Sequence, residues 1–154
     1  GQVVYRRSLY IVTKRSVPNP TLATFDAVSR SYCVVRRQET NTPLQALVTL
    51  NDPTFNECSR VLGEQMAIAQ NSTNAITQTY QKLTGKKPSE KELALLNELY
   101  QHEYQKFSQQ PHKMQGWLKE GQYRIRPSTE PASAAAYTVV TSTILNSDAT
   151  LTLR

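Results

Sequence analysis

Asp26, Arg30, Arg36, Arg37, Thr40, Asn41 and Gln45 lie in one stretch of the chain, FDAVSRSYCVVRRQETNTPLQ. Arginine presents a planar fork of donors that matches carboxylate, sulfate or phosphate. The helix start expected at Pro43 adds free backbone N–H groups, which also favour an anion. Asp26 follows Phe25, precedes Arg30 by four residues and is the one acid among residues 1–37. Together these side chains form a candidate anion- or glycan-binding site. The same residues can instead brace the fold, with Phe25 anchoring the segment and Asp26 pairing with an arginine or capping a turn. The sequence favours the brace.

Other chemistry is sparse. His102 and His112 are the only histidines. Glu98 and His102 are four apart on an expected helix and can offer two metal ligands, but a third and fourth have no source. The expectation is a solvated polar face and no metal site. There is no G-x-S-x-G elbow, and neither cysteine has a histidine near it in sequence. Cys33 stands among Arg30, Arg36 and Arg37, which can depress a thiol pKa, whereas Cys58 falls on an apolar helical stripe and reads as core. With no C-x-x-C, the two cysteines make neither a zinc knuckle nor a c-type haem attachment. Only five glycines are present, too few to suggest a phosphate-cradling loop. No catalytic residue and no cofactor is assigned to this chain.

The net charge of +6 has a location. Residues 1–37 carry seven basic groups against Asp26, while the remaining basic and acidic groups cancel. Such a basic segment can attract phosphates, acidic glycans or an acidic protein partner. Tyr5, Tyr10 and Tyr32 interleave with the arginines loosely as in nucleic-acid binders, but no recognised nucleic-acid module fits. The apolar runs are too short to span a bilayer. The chain runs from Gly1 straight into VVYRRSLYIV, which reads as a piece of a longer protein whose preceding domains are its partners.

The elements that must position these residues are mostly helical. Val3–Val12 alternates partly and suits a strand, and Tyr32–Val35 is a second β-like run, so a small ribbon forms if the two pair. Val17-Pro18-Asn19-Pro20 is expected to break regular structure. Thr42-Pro43-Leu44-Gln45 is a capping box, and Leu44, Leu47 and Val48 then form an apolar stripe. Asp52-Pro53 starts a second helix, with Phe55, Cys58, Val61, Leu62 and Met66 on its apolar face and an end near Ala69. Asn71-Ser72-Thr73 is a turn, and on paper a glycosylation sequon. Ile76, Tyr80 and Leu83 mark a third helix closed by Gly85. Ser89 to Glu92 caps a long amphipathic helix through Leu93, Leu96, Tyr100, Tyr104 and Phe107. A short helix around Met114, Trp117 and Leu118 ends at Gly121, and Tyr123–Thr129 is a loop. The nearly uncharged SAAAYTVVTSTILN should be a central buried helix. The fold expected is mainly α: an irregular bundle of five or six helices over 42–154, after a basic, partly extended arm over 1–41, in one domain.

The stretch YRRSLYIVTKR, FDAVSR and CVVRRQETNTPLQALVTLNDPTF resembles a family of unknown function from planctomycetes and Bacteroidetes. The pattern is carried by Arg36, Arg37, Thr40, Thr42, Pro43, Gln45, Ala46, Leu47 and Asn51. It extends more weakly through LTGKKPSEKEL to AAAYTVVTSTILNSD. Val28 departs from a frequent Pro, and Asp148-Ala149-Thr150 departs from a frequent Asp-Glu-aromatic ending. The resemblance implies the C-terminal domain of a large exported protein, with a cytochrome-c-like domain near its N-terminus and another uncharacterised domain between. Haem would then sit in another domain of the parent, and the location would be extracytoplasmic, in the periplasm or cell envelope. No catalytic residues come with the resemblance.

Three functions follow in order. The first is a non-catalytic scaffold or binding domain of a cell-envelope protein. The second is an enzyme domain acting on glycans or sulfated polymers, and the third an anionic-polymer binding module.

Overall fold

Among the described residues, four helices begin where a short polar side chain stands just before a proline or a glutamate: Asn19-Pro20, Thr42-Pro43, Asp52-Pro53 and Ser89-Glu90. In the computed structural model, which describes Tyr5, Val12, Lys14 and residues 16–28, 32–36, 38–69, 72–124 and 130–152, the elements are α1 (Pro20–Thr24), α2 (Pro43–Asn51), α3 (Pro53–Ile68), α4 (Ser72–Thr84), α5 (Glu90–Gln109), α6 (Met114–Leu118), α7 (Pro131–Leu145) and α8 (Asp148–Leu151). A 3-10 turn at Pro111–Lys113 leads into α6. The protein is mainly α, as expected. Among the described residues Tyr32–Val35 forms no strand, and the remainder of the anticipated ribbon, Val3–Val12, lies almost wholly outside them. Arg6, Arg7, Arg15, Arg30, Arg37, Asn71 and residues 125–129 also lie outside them.

The capping chemistry is as the sequence implies. Thr42 N–H donates to Gln45 Oε1 at 3.2 Å, while Gln45 N–H donates to Thr42 Oγ1 at 3.4 Å. Asp52 accepts from Thr54 N–H at 2.8 Å with Pro53 at the first helical position. Ser89 and Glu92 cap α5 reciprocally. Gly85 closes α4 with a φ of 74°, which suits a residue without a Cβ. Val17, Pro18 and Asn19 carry no regular structure, as expected, but Asn19 also caps α1, accepting from Leu22 N–H at 3.1 Å with Pro20 next.

The chain divides into two compact units, residues 1–48 and 49–154. In the larger, α7 is central. It packs chiefly on α3 and α5, with α4, α6 and α8 around them. Ala134, Ala135, Ala136, Val140 and Ile144 are buried along it, together with Ser133, Thr138, Thr141 and Ser142. The hydroxyls of Thr138 and Thr141 donate one turn back, to the carbonyls of Ala134 and Tyr137, so their burial leaves no orphan donor. One apolar cluster joins Met66, Ile76, Tyr80, Leu96, Tyr137, Val140 and Ile144. A second forms around Phe107, Ala135 and Ala136, with Trp117 and Leu118 packed on it. Burying a side chain such as Phe107 stabilises by about 1.5–3 kcal/mol. Tyr100 stacks on Tyr137 with centroids 4.2 Å apart, and its hydroxyl meets Ser133 Oγ at 3.1 Å.

Two apolar stripes read from the sequence do not face inward. On α2 the buried residues are Gln45 and Thr49, whereas Leu44 and Leu47 are each 55% exposed. Gln45 is inside because its amide has work there: Nε2 donates to the Thr24 carbonyl at 2.9 Å. Thr49 Oγ1 donates to Asn146 Oδ1 at 2.7 Å. On α3 only Met66 of the anticipated stripe is buried, and Cys58 is exposed rather than core. The buried face of α3 instead carries Glu57, Ser59, Arg60, Gly63 and Glu64. Gly63 explains the register: a Cβ there would stand 2.6 Å from Thr138 N and 2.9 Å from its Cα, so only glycine admits α7 at this distance.

Candidate functional site

The candidate site in the first unit is built on the end of α1. Asp26 N–H donates to the Ala23 carbonyl at 3.2 Å and Ala27 N–H to the Leu22 carbonyl at 2.9 Å, the crossed pair that closes a helix through a left-handed residue. Asp26 is that residue, with a φ of 56°. Glycine is usual there, and aspartate is one of the few side chains that tolerate it. The aspartate then does what glycine cannot. Its Oδ2 accepts from Thr40 N–H at 2.7 Å and from Thr40 Oγ1 at 2.8 Å. Thr40 Oγ1 in turn accepts from Gln45 Nε2 at 3.3 Å, and Gln45 also reaches Thr24 and Thr42. Three of the anticipated residues, Asp26, Thr40 and Gln45, thus form one knot tying the end of α1 to the start of α2.

Arg36, the described arginine of the anticipated set, pairs outside that knot. Arg36 has a side chain 85% exposed, and its guanidinium lies 3.9 Å from Glu39 Oε1. At that separation and exposure the pair contributes little. Asn41 is exposed. Beside the knot lies a cleft of about 280 Å³ lined by Ala23, Asp26, Ala27, Val28, Tyr32, Val34, Arg36 and Gln38. Cys33 is exposed on the same segment, and Phe25, expected as an anchor, is 36% exposed.

The other chemistry-bearing residues fall elsewhere. His102 pairs at 3.2 Å with its neighbour Glu103 rather than with Glu98, and among the described residues no group of three metal-ligating side chains converges. The Cys58 thiol pKa is raised, first by partial desolvation and then by Glu57, so it is a poor nucleophile although the residue is exposed. A further cleft, of about 400 Å³, is bordered by Tyr80, Thr84, Lys86, Lys87, Glu92, Ser147 and Asp148. Both oxygens of Glu92 are occupied, one by Ser89 and the other by the Tyr80 hydroxyl at 2.8 Å. The Ser89 hydroxyl, then the Ser89 N–H, then Tyr80 hold the Glu92 carboxyl below its usual range. Desolvation, followed by Glu92, pushes the Tyr80 phenol above its own. Two groups driven apart from neutrality in this way do not make an acid–base pair for chemistry near pH 7.

Sequence reasoning missed one charged assembly. Glu57, Arg60 and Glu64 occupy one buried face of α3. Arg60 pairs with Glu64 and donates through Nε to the Glu120 carbonyl at 2.9 Å and through a terminal nitrogen to the Tyr123 carbonyl at 2.8 Å. Glu57 accepts from Tyr123 N–H. Gly121 lies in this grip with a φ of 89°, and a Cβ on it would meet the Glu57 side chain at 2.5 Å. The spacing E-x-x-R-x-x-x-E was the available signal, because it puts all three charges on one helical face. That face looked solvated in sequence because its partners are backbone groups.

The family model described as PSD1, Protein of unknown function (DUF1553), matches residues 1–100. No curated protein and no solved structure matches the chain. No helix among the described residues is long and apolar enough to cross a membrane.

Proposed function

We propose, from the premise that this chain belongs to the PSD1 family of proteins of unknown function (DUF1553), that it is a non-catalytic binding and scaffolding domain. It would serve a larger protein of the cell envelope, with the preceding domains of that polypeptide as its first partners. The extracytoplasmic setting, and any haem in another domain, rest on the resemblance of the Arg36–Asn51 pattern to planctomycete and Bacteroidetes proteins.

One observation carries the reading. Asp26, the sole acid of the basic segment, spends Oδ2 on two hydrogen bonds from Thr40. On this reading it braces the segment, and one carboxylate stands in the sequence against seven basic groups of residues 1–37. Arg36, at the rim of the adjoining cleft, has donors available to an anionic group. A carboxylate or sulfate, as on an acidic glycan, has the matching charge and planar or tetrahedral acceptors.

The test is a titration of the intact chain with heparin at low and at high salt. Binding that weakens steeply with salt, and weakens again in Arg36→Ala, is expected. Absent or salt-independent binding overturns the anion-binding reading. The second reading, an enzyme domain acting on glycans or sulfated polymers, is favoured by Asp26 lining a cleft. Turnover of a sulfated glycan that is abolished in Asp26→Asn would replace the scaffold with that enzyme.

A further inference from the structure

In the second unit a cavity of about 290 Å³ is lined by Leu50, Asn56, Gly116, Trp117 and Glu120. Its volume is at the low end for ligand pockets, the size for one small ring rather than an extended chain. Trp117 is the only tryptophan of the protein. It packs on the Phe107 cluster and also lines the cavity, so its position is fixed from behind. Glu120 is fixed as well, because its carbonyl accepts from the buried Arg60. The carboxylate of Glu120 is thereby its uncommitted acceptor. Asn56 Oδ1 is buried and has no hydrogen-bond partner among the described residues. A buried acceptor left unmade costs folding free energy, and native structures keep few of them. The last torsion of an asparagine is soft, so its amide can turn to a donor held in the cavity.

The lining is therefore part apolar, from Trp117 and Leu50, and part polar, from Asn56 and Glu120 on different elements. Two separated acceptors call for a ligand with several donors. The indole and leucine call for an apolar face on that ligand. The carboxylate disfavours an anion. We propose that this cavity binds a single neutral sugar ring, with its C–H face toward Trp117 and Leu50 and its hydroxyls donating to Asn56 and Glu120. The site shares no lining residue with the Asp26 cleft and takes an uncharged ligand, so it stands or falls independently of heparin binding.

Because Trp117 is alone, intrinsic fluorescence reports on this cavity without interference. The intact chain would be titrated with glucose, galactose, mannose and N-acetylglucosamine, with glycerol as the small-polyol control and tetramethylammonium as the cationic control. A saturable change in Trp117 emission with at least one sugar, absent with glycerol, is expected. Asn56→Leu keeps the side chain's size and removes its acceptor; it should weaken that sugar about tenfold, or ~1.4 kcal/mol. Glu120→Gln, which keeps the carbonyl held by Arg60, should weaken it too. The melting temperature of each variant separates lost binding from lost folding. A response only to tetramethylammonium, no response to any sugar, or a folded Asn56→Leu that binds as tightly as the parent overturns the proposal.

Discussion

Arg60 and Glu64 form an ion pair on α3 with both side chains withdrawn from water, at 0% and 2% exposure. Two backbone carbonyls, of Glu120 and Tyr123, accept from the other two guanidinium nitrogens. A pair of this kind is weak evidence for stability, because desolvating both charges costs about what their attraction returns. Its visible effect is to fix the segment that carries Glu120 and Gly121.

Breaking the pair from one side should be severe. Arg60→Met leaves Glu64 buried without its partner and should destabilise by about 3–5 kcal/mol in urea unfolding at neutral pH. Arg60→Met with Glu64→Leu should cost clearly less than the sum of the two single changes. Single changes worth under about 1 kcal/mol would show that the pair is not buried in solution.

Gly63 and Gly116 should respond to alanine in opposite directions. Gly63→Ala drives a methyl against the backbone of Thr138 and should cost about 1–3 kcal/mol. Gly116→Ala meets nothing within 4 Å in a helical position and should stabilise by about 0.5–1 kcal/mol. Thermal melts of the two variants side by side decide the matter.

The outward leucines of α2 should tolerate polarity. Leu47→Gln is expected to change stability by no more than about 0.5 kcal/mol, as at other exposed sites. Thr49→Val, although conservative in shape, removes the bond to Asn146 and should cost about 0.5–1.5 kcal/mol. The reverse order in denaturant unfolding would restore the apolar stripe to the interior.

Acid should loosen the start of α5. The folded-state pKa of Glu92 is lowered by Ser89 and Tyr80, so its stabilising effect is complete above the unfolded value of about 4.3. It is lost as pH falls through the lower folded value. Glu92→Gln should flatten the acid limb of the stability curve in that window while changing its slope little near neutral pH. An unchanged acid limb would mean that the cap contributes nothing.

Thr40 offers a local probe of the knot in the first unit. In Asp26→Ala its amide loses its acceptor and the left-handed position loses a tolerant residue, so hydrogen exchange at Thr40 should quicken. Asp26→Gly should relieve the backbone and still leave Thr40 fast. Asp26→Asn should retain most of the protection. Equal exchange in all three would exclude the side-chain bond.

What the sequence determined by itself was local. Asn19 apart, whose cap was hidden in a run of prolines, the helix starts at Thr42, Asp52 and Ser89 were legible because a cap is made by residues two or three apart. The buried α7 was legible because it holds no charged residue to keep it at the surface. The meeting of Asp26, Thr40 and Gln45 was half legible: the residue types were gathered in one stretch, but their partners were not specified. Tertiary structure alone decided which face of α2 and α3 turned inward. Hydrophobic periodicity favoured Leu44, Leu47 and Cys58, and the fold chose Gln45, Thr49, Glu57, Arg60 and Glu64. The physical reason is that Gln45, Thr49, Glu57 and Arg60 find partners 21 to 97 residues away, at Thr24, Asn146, Glu120 and Tyr123, and Arg60 then holds Glu64. A buried polar group is costly only while unpaired, and pairing across such separations is fixed by the packed chain rather than by local pattern.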